Sequence, residues 1–413
     1  MKILIINQHT KNHGDEAAAL ALIRSLYENN YTDITVLYNM STPDERCFHK
    51  YKNVKHLLRK GIIRGTSRII DFFMKYPNFF TQKLPFLFSE IRRDYKAIKA
   101  ADYIISAPGG VNIGLYRDTI SLWRLIIALQ LNKKVAIYSP SIGPFKSKDH
   151  YTKWAKFVFD NVNFLSLRDM QSYVYAEKLN VAYQKSIDTA FLEDPVCSIP
   201  SEVEELLPKK YVVIVPNQLY VWHPLFVHKE ERLIDEFYEL LIQKFLDNLV
   251  NVLLLPQLYC SKHNDEDYCR YLSRKFSNNV IVFSSNYTSD IQQYVIKKSM
   301  FVIGARYHTI VFSINNSVPF ACLSYEHKMK NMLELLGVES LNVDINNSFA
   351  SPDEIIKLIY NGFLNRHIVK NDIEKAREKA KSLAISTFQQ LLVSLSIEYY
   401  TCLLYTSPSP RDA

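Results

Sequence analysis

Two doubly wound, Rossmann-like α/β domains facing one another across a cleft are the fold predicted by this 413-residue sequence. Three observations carry that expectation. Short apolar, β-rich runs alternate with longer helical patterns. The runs are nearly continuous in Val, Ile and Leu, as parallel strands covered on both faces are. The series breaks once, at Ser186–Lys210, where Pro195, Pro200 and Pro208 mark a linker.

The first series of strands is Lys2–Ile6, Ile34–Tyr38, Tyr103–Ser106, Val135–Tyr138 and Phe164–Leu167. The second is Tyr211–Val215, Val252–Leu255, Val280–Phe283, Phe301–Ile303 and Phe320–Leu323. Residues 1–195 are therefore expected to form an N-terminal α/β domain with a basic-aromatic insert at about 46–95, and 205–370 a C-terminal one. A helical segment follows at 371–401, its pattern clearest over Asp372–Ser394 and expected to pack back on the body. Residues 402–413, CLLYTSPSPRDA, read as a non-native, adapter-derived tail and stand outside the fold.

Composition narrows the class. Hydrophobic residues at 48% and charged residues at 22% fit an ordinary globular chain and exclude collagen-like or mostly disordered ones. A net charge of +8 permits anionic substrates or a membrane surface without indicating nucleic acid. Ten glycines stand where average usage gives about 29, so glycine is expected where a side chain would not fit. The six cysteines form no CxxC pair and suggest reduced thiols. Cys260, His263 and Cys269 lack a fourth ligand at finger-like spacing, so no metal is expected. The apolar start at Ile3–Ile6 is too short for a secretory h-region, and no run reaches a membrane span. The expected location is cytoplasmic.

In open α/β sheets ligands bind beyond the carboxyl ends of the strands, and the polar residues of this chain collect there. Gly14-Asp15-Glu16 follows the first strand and reads either as helix capping or as a carboxylate held at the cleft. Gly109-Gly110, with Asn112 after them, read as a tight turn or as close backbone approach to an anion. Without GxGxxG or a Walker lysine, neither a nicotinamide nor a P-loop nucleotide is expected. Arg168-Asp169 reads as an ion pair, a helix start, or a guanidinium fork on a carboxylate or phosphate. Asn217 and Gln257 close two strands of the second series, and Tyr220, Trp222 and His223 read as core or as rings against a sugar. Arg306-x-His308 is the sharpest feature, two residues that share a face in extended chain and point into the cleft. Lys328, beside His327 and Lys330, is a further cation at the last core strand or a solvated basic turn. Arg46, Lys50, Lys52, Lys55, Arg59, Lys60, Arg64 and Arg68 run without an acid into Phe72, Phe73, Tyr76, Phe79, Phe80, Phe86 and Phe88. That stretch reads as peripheral contact with an anionic membrane surface or as a solvated face.

The segments Asn12-His13-Gly14-Asp15-Glu16-Ala17, Ala107-Pro108-Gly109-Gly110, Ser141-Ile142-Gly143-Pro144, Ser166-Leu167-Arg168-Asp169, Asp188-Thr189-Ala190 and Arg306-Tyr307-His308 together resemble the polysaccharide pyruvyl transferase family. The resemblance runs over about residues 3–335. It implies a GT-B-like fold and transfer of pyruvate from phosphoenolpyruvate to the hydroxyls of a polysaccharide or lipid-linked sugar, forming a cyclic ketal. Arg168 and His308 match family positions associated with the donor, and no cofactor is implied. His308 is then the proton-handling or phosphate-contacting group, with Asp15 as base and Arg306 and Lys328 offsetting donor charge. Gly14, Gly109, Gly110, Asn112, Asn217 and Gln257 fall to substrate binding. A lipid-linked acceptor would place the enzyme at the inner face of the membrane. A nucleotide-sugar glycosyltransferase on the same architecture and a non-catalytic glycan-binding protein are the alternatives.

Overall fold

The computed structural model describes residues 1–9, 11–39, 51, 53–58, 64–78, 81–110, 113–194, 199–223, 226–227, 231–260, 263–276, 279–325, 327–346 and 352–396. The first sheet contains β1 (Ile3–Gln8), β2 (Ile34–Tyr38), β3 (Lys55–Leu57), β4 (Tyr103–Ser106), β5 (Lys134–Ile137), β6 (Phe164–Leu167) and β7 (Gln184–Lys185). Next come β8 (Tyr211–Val215) and β9 (Asn251–Leu254), then β10 (Tyr259–Cys260) and β11 (His263–Asn264), which pair as a short antiparallel hairpin. With β8 and β9, β12 (Val280–Val282), β13 (Phe301–Gly304), β14 (Phe320–Ser324) and β15 (Asn342–Asp344) complete the second sheet.

The sheets run β3-β2-β1-β4-β5-β6-β7 and β12-β9-β8-β13-β14-β15, with every pairing in them parallel. Each order reverses once, at β1/β4 and at β8/β13. Connections on either side of such a reversal leave in opposite directions and open a crevice at the carboxyl ends. All ten strands expected from the apolar runs are present, nine of them with side chains mostly buried on both faces and the edge strand β12 with half-buried ones. The strands β3, β7 and β15 were not expected. They are strands of two or three residues at the sheet edges, with Val343 their one buried position, and are too short to leave an apolar run.

The two halves share core. In the helix His13–Glu28, Ala17 and Ala18 pack into the apolar cluster of the second sheet, while Leu22, Ile23 and Leu26 pack under the first. Small side chains at the start of that helix let the second half approach closely. The start of the Pro-bearing connection is likewise packed. Ile187, Ala190 and Phe191 are buried in the second cluster, which is where their apolar side chains drive them.

The last helix, Lys370–Ser396, carries one stripe at helical spacing: Ile373, Ala376, Ala380, Ala384, Phe388, Leu391 and Leu395. The first four meet the second core and the last three the first, and the Tyr103 hydroxyl lies 2.7 Å from Ser394 Oγ. The helix is therefore a strap across both halves. Leu391 is fully buried, so Leu391→Ala is expected to cost about 2–5 kcal/mol, read as a lower urea midpoint. An unchanged midpoint would mean that this end of the helix is undocked in solution.

Of the basic-aromatic stretch, Arg46, Lys50, Lys52, Arg59, Lys60, Phe79 and Phe80 lie outside the described residues, as does the 402–413 tail. Lys55 and Arg68 are exposed. The helix Arg64–Lys75 turns Thr66, Ile70, Phe73 and Met74 inward at helical spacing and leaves Phe72 and Tyr76 outside. Phe86 and Phe88 pack against the same core as Phe73, so part of the aromatic run belongs to the interior. Among the described residues no helix is long and apolar enough to cross a membrane.

Candidate active site at the seam between the sheets

The two reversal points face each other over a cleft of 470 Å³. From the first half, β1 carries Asn7, its last residue but one, in the left-handed region (φ 64°), a conformation asparagine tolerates. Buried Arg124 holds that end, donating to Asp94 at 2.9 Å, to Asn7 at 3.2 Å and to Asn39. The chain then reaches His9 and Asn12 on the cleft wall. The Asn12 side chain accepts from the Gly14 N–H at 2.9 Å and so starts the helix His13–Glu28.

That helix start sends Asp15 to the cleft and Glu16 across the seam. The capping reading of Gly14-Asp15-Glu16 concerns their own helix, whereas the Glu16 carboxylate caps a helix of the other half. Glu16 is buried, lies 3.0 Å from His13 Nδ1, and accepts at 3.1 Å from the N–H of Ser289, the first residue of the helix Ser289–Lys298. A carboxylate at that positive end is favourable.

Two glycines are explained by what crosses them. A Cβ on Gly14 would lie 1.9 Å from Cγ and Nδ1 of His308, so the imidazole of the second half rests directly on this backbone. Gly109 has φ 129°, and a Cβ there would meet Asp15 Oδ1 at 2.9 Å. Gly14 and Gly109 thus make room for two other candidate residues, His308 and Asp15. Gly110 lines the cleft itself. Asn112 lies outside the described residues.

Arg168, at the end of β6, and His308, just beyond β13, meet on one carboxylate, Asp188. The Arg168 guanidinium donates to Asp188 Oδ2, and Nε donates to Ser141 Oγ at 3.1 Å. His308 Nε2 approaches the same Oδ2 at 3.4 Å without hydrogen-bond geometry. Burial pushes the Asp188 carboxyl upward, but Arg168 and then His308 outweigh it and hold it well below the usual carboxylate range. Burial likewise opposes charge on Arg168, and Asp188 more than restores it. Asp169 has the helix-start role, accepting from the Ser172 N–H at 2.8 Å.

Arg306 and His308 both reach the cleft, though not from one extended face. Arg306 is the last extended residue (φ −124°) and caps the helix Tyr307–Asn315, whose first turn contains His308. Asp265 holds the Arg306 fork with both oxygens, at 3.2 and 2.5 Å. It also accepts from the backbone N–H groups of Gln257 and Leu258. Gln257 lines the cleft with its Nε2 buried and lacking a partner among the described residues. Lys328 lines it too, its Nζ 5.9 Å from the centre of the Tyr307 ring, which Arg168 approaches at 5.2 Å. Asn217 stands apart from the cleft, fully buried. It donates to the Ala305 carbonyl and accepts from Trp222 Nε1, and so positions Trp222 on the cleft wall.

Seven candidates therefore come together at the cleft: Asp15, Gly110, Arg168, Gln257, Arg306, His308 and Lys328. Sequence reasoning passed over Asp188 and Asp265 as site residues. Each is the buried counter-charge of a cleft arginine. Tyr116 and Trp222 add one aromatic ring from each half.

The family described as polysaccharide pyruvyl transferase matches residues 12–327. The amylovoran biosynthesis protein AmsJ of Erwinia amylovora is 26% identical over 442 residues, covering 96% of this chain and all of AmsJ. Solved structures share the fold at low identity. A putative UDP-N-acetylglucosamine 2-epimerase of Listeria monocytogenes is 11% identical, with a TM-score of 0.60 and 95% of each chain covered. A glycosyltransferase of Rickettsia africae is 12% identical, with a TM-score of 0.55 and coverage of 95% of this chain and 97% of its own.

Proposed function

The chain belongs to the polysaccharide pyruvyl transferase family, and on that premise we propose that it moves pyruvate from phosphoenolpyruvate onto two hydroxyls of a sugar in polysaccharide biosynthesis, as a relative of a protein of amylovoran assembly. The observation that carries the donor reading is the convergence of Arg168 and His308, from opposite halves, on buried Asp188. A guanidinium locked by a buried carboxylate presents its remaining N–H groups in fixed directions, so little reorganisation is needed when an anion arrives. Arg306 on Asp265 repeats the device. Lys328 adds charge near the same ring.

The reaction balances with these groups. A proton goes to the methylene carbon of the donor, and its central carbon becomes oxocarbenium-like. The first sugar hydroxyl adds there and loses its proton. Phosphate leaves, and the second hydroxyl closes the ketal. Of the two hydroxyl protons, one equivalent ends on the new methyl group and one on phosphate. His308 is the group for proton delivery or phosphate contact, and Asp15, at the cleft against Gly109, is the base for the hydroxyls. Tyr116 and Trp222 offer rings on which a sugar can pack.

Incubation with phosphoenolpyruvate and a panel of lipid-linked and nucleotide sugars should release phosphate and add a pyruvyl ketal mass to one acceptor. Release of a nucleotide from a nucleotide sugar, with no pyruvyl gain, would replace this reading with glycosyl transfer. His308→Ala is expected to lower turnover about 10²–10⁴-fold with little change in donor KM. Arg168→Lys keeps a charge beside Asp188 but loses the fork, and should mainly raise donor KM. Wild-type kinetics in both variants would remove these residues from the donor site.

A further inference from the structure

We infer that the protein has a second ligand site, for a hydroxyl-bearing phosphate ester of the sugar phosphate type, at the opposite end of the second sheet from the cleft. A cavity of 770 Å³ opens there, reaching Met300 and Pro319 just before β13 and β14. The cleft lies beyond the carboxyl ends of the same strands, so the two spaces are separate.

Charge is the first observation. Lys297, Arg366, Lys370 and Arg377 line the cavity. The acids among its lining residues are Asp194 and Glu374, and Asp194 is already engaged by Lys381. Lys370 and Arg377 sit two turns apart on one face of the strap helix Lys370–Ser396. Lys370 is also the first residue of that helix, where the macrodipole opposes a cation and favours an anion.

The floor is the second, independent observation. The helix Tyr307–Asn315 ends there, and Asn315 is fully buried. Its Nδ2 donates to the Glu193 carbonyl and to Gln293 Oε1, while its Oδ1 has no partner among the described residues. Asn316 Oδ1, Ser317 Oγ and Arg377 Nε are also buried without one. Buried polar atoms almost always have partners, and four orphans beside one cavity point to something that fills it. Amide oxygens can only accept, so they call for hydroxyl or N–H donors, whereas the rim calls for an anion. A phosphorylated sugar meets both demands with hydroxyls that stand apart from its anionic group, whereas the P–OH of inorganic phosphate sits on the anion itself.

Ser317 supplies a clean test. It sits at φ 54°, a left-handed conformation that glycine adopts more readily, so Ser317→Gly deletes a floor hydroxyl without threatening the fold. Isothermal titration of the full chain with glucose 1-phosphate, in the presence of saturating phosphoenolpyruvate, should show saturable binding tighter than that of inorganic phosphate. Lys297→Ala with Lys370→Ala should weaken both probes about tenfold or more, the loss of charge-assisted contacts. Ser317→Gly should weaken glucose 1-phosphate about three- to tenfold and leave phosphate unchanged. Arg168→Lys, a cleft variant, should leave both unchanged. Absence of saturable binding, wild-type affinity in the lysine variant, equal affinity for the two probes, or a loss confined to the cleft variant would each overturn the site.

Discussion

Asp188→Asn is expected to destabilise the protein by about 3–5 kcal/mol and to abolish measurable turnover. The substitution keeps shape and removes one charge. Arg168 then remains buried without its counter-ion, and breaking a buried pair from one side leaves the desolvation of the other charge uncompensated. The same change takes the carboxylate away from His308 Nε2, so the two groups assigned to the donor lose their common anchor. The pH dependence has a definite sign. The native carboxyl is held below its unfolded value, so it contributes stability above an unfolded pKa of about 3.9 and loses it as pH falls toward the depressed native value. Urea midpoints of wild type and variant should therefore differ most near neutrality and converge below about pH 4. A constant gap across that range would mean that the pair is not ionised in the folded protein.

Gly14→Ala is expected to cost activity on the order of 10²-fold while changing stability much less. Gly14 stands in the first turn of its helix, so alanine gains less there than the roughly 1 kcal/mol it gains over glycine in a helix interior. Against that, its Cβ would lie 1.9 Å from His308 Cγ and Nδ1. Atoms cannot share that distance, so the ring must move or the seam must open, and overpacking of this kind costs about 1–3 kcal/mol. A displacement near 1 Å of a reacting group is enough for a hundredfold loss. Steady-state kinetics beside a urea titration separate the two effects. Wild-type kcat in a stable Gly14→Ala protein would show that His308 does not depend on this contact.

The parts of this structure that are legible in the sequence are those written in consecutive residues. The buried strands announce themselves as apolar runs, and the cleft residues cluster after them because a doubly wound sheet puts its functional loops at one end. What escapes is written across the seam. Gly14 is a glycine because of His308, far along the chain. Asp188 is legible as part of the Asp188-Thr189-Ala190 segment of the resemblance, but its role is not, because a lone acid before the turn Thr189–Leu192 leaves no periodic signal and its partners come from just after β6 and from beyond β13. Asp265 opens a helix and so reads as a cap, although its carboxylate is spent on Arg306 and on the backbone at Gln257 and Leu258. Asn217 has the right position for a ligand contact, but its side chain turns inward to the Ala305 carbonyl and Trp222.

The Glu16 carboxylate, housed in one half and capping a helix of the other, limits how this architecture can be recombined. A sugar-active enzyme built from two similar lobes invites the exchange of one lobe for a relative's, to pair a new acceptor with an old donor. Here each lobe finishes the other. Glu16 completes the first turn of the helix Ser289–Lys298, and the bare backbone of Gly14 is the bed for the imidazole of His308. A graft that keeps both sheets but carries a different residue at either place inherits a mismatched joint beside its own cleft. Exchange is therefore a matter of compatible seams, and residues 12–16 have to be exchanged together with the segments that carry Ser289 and His308.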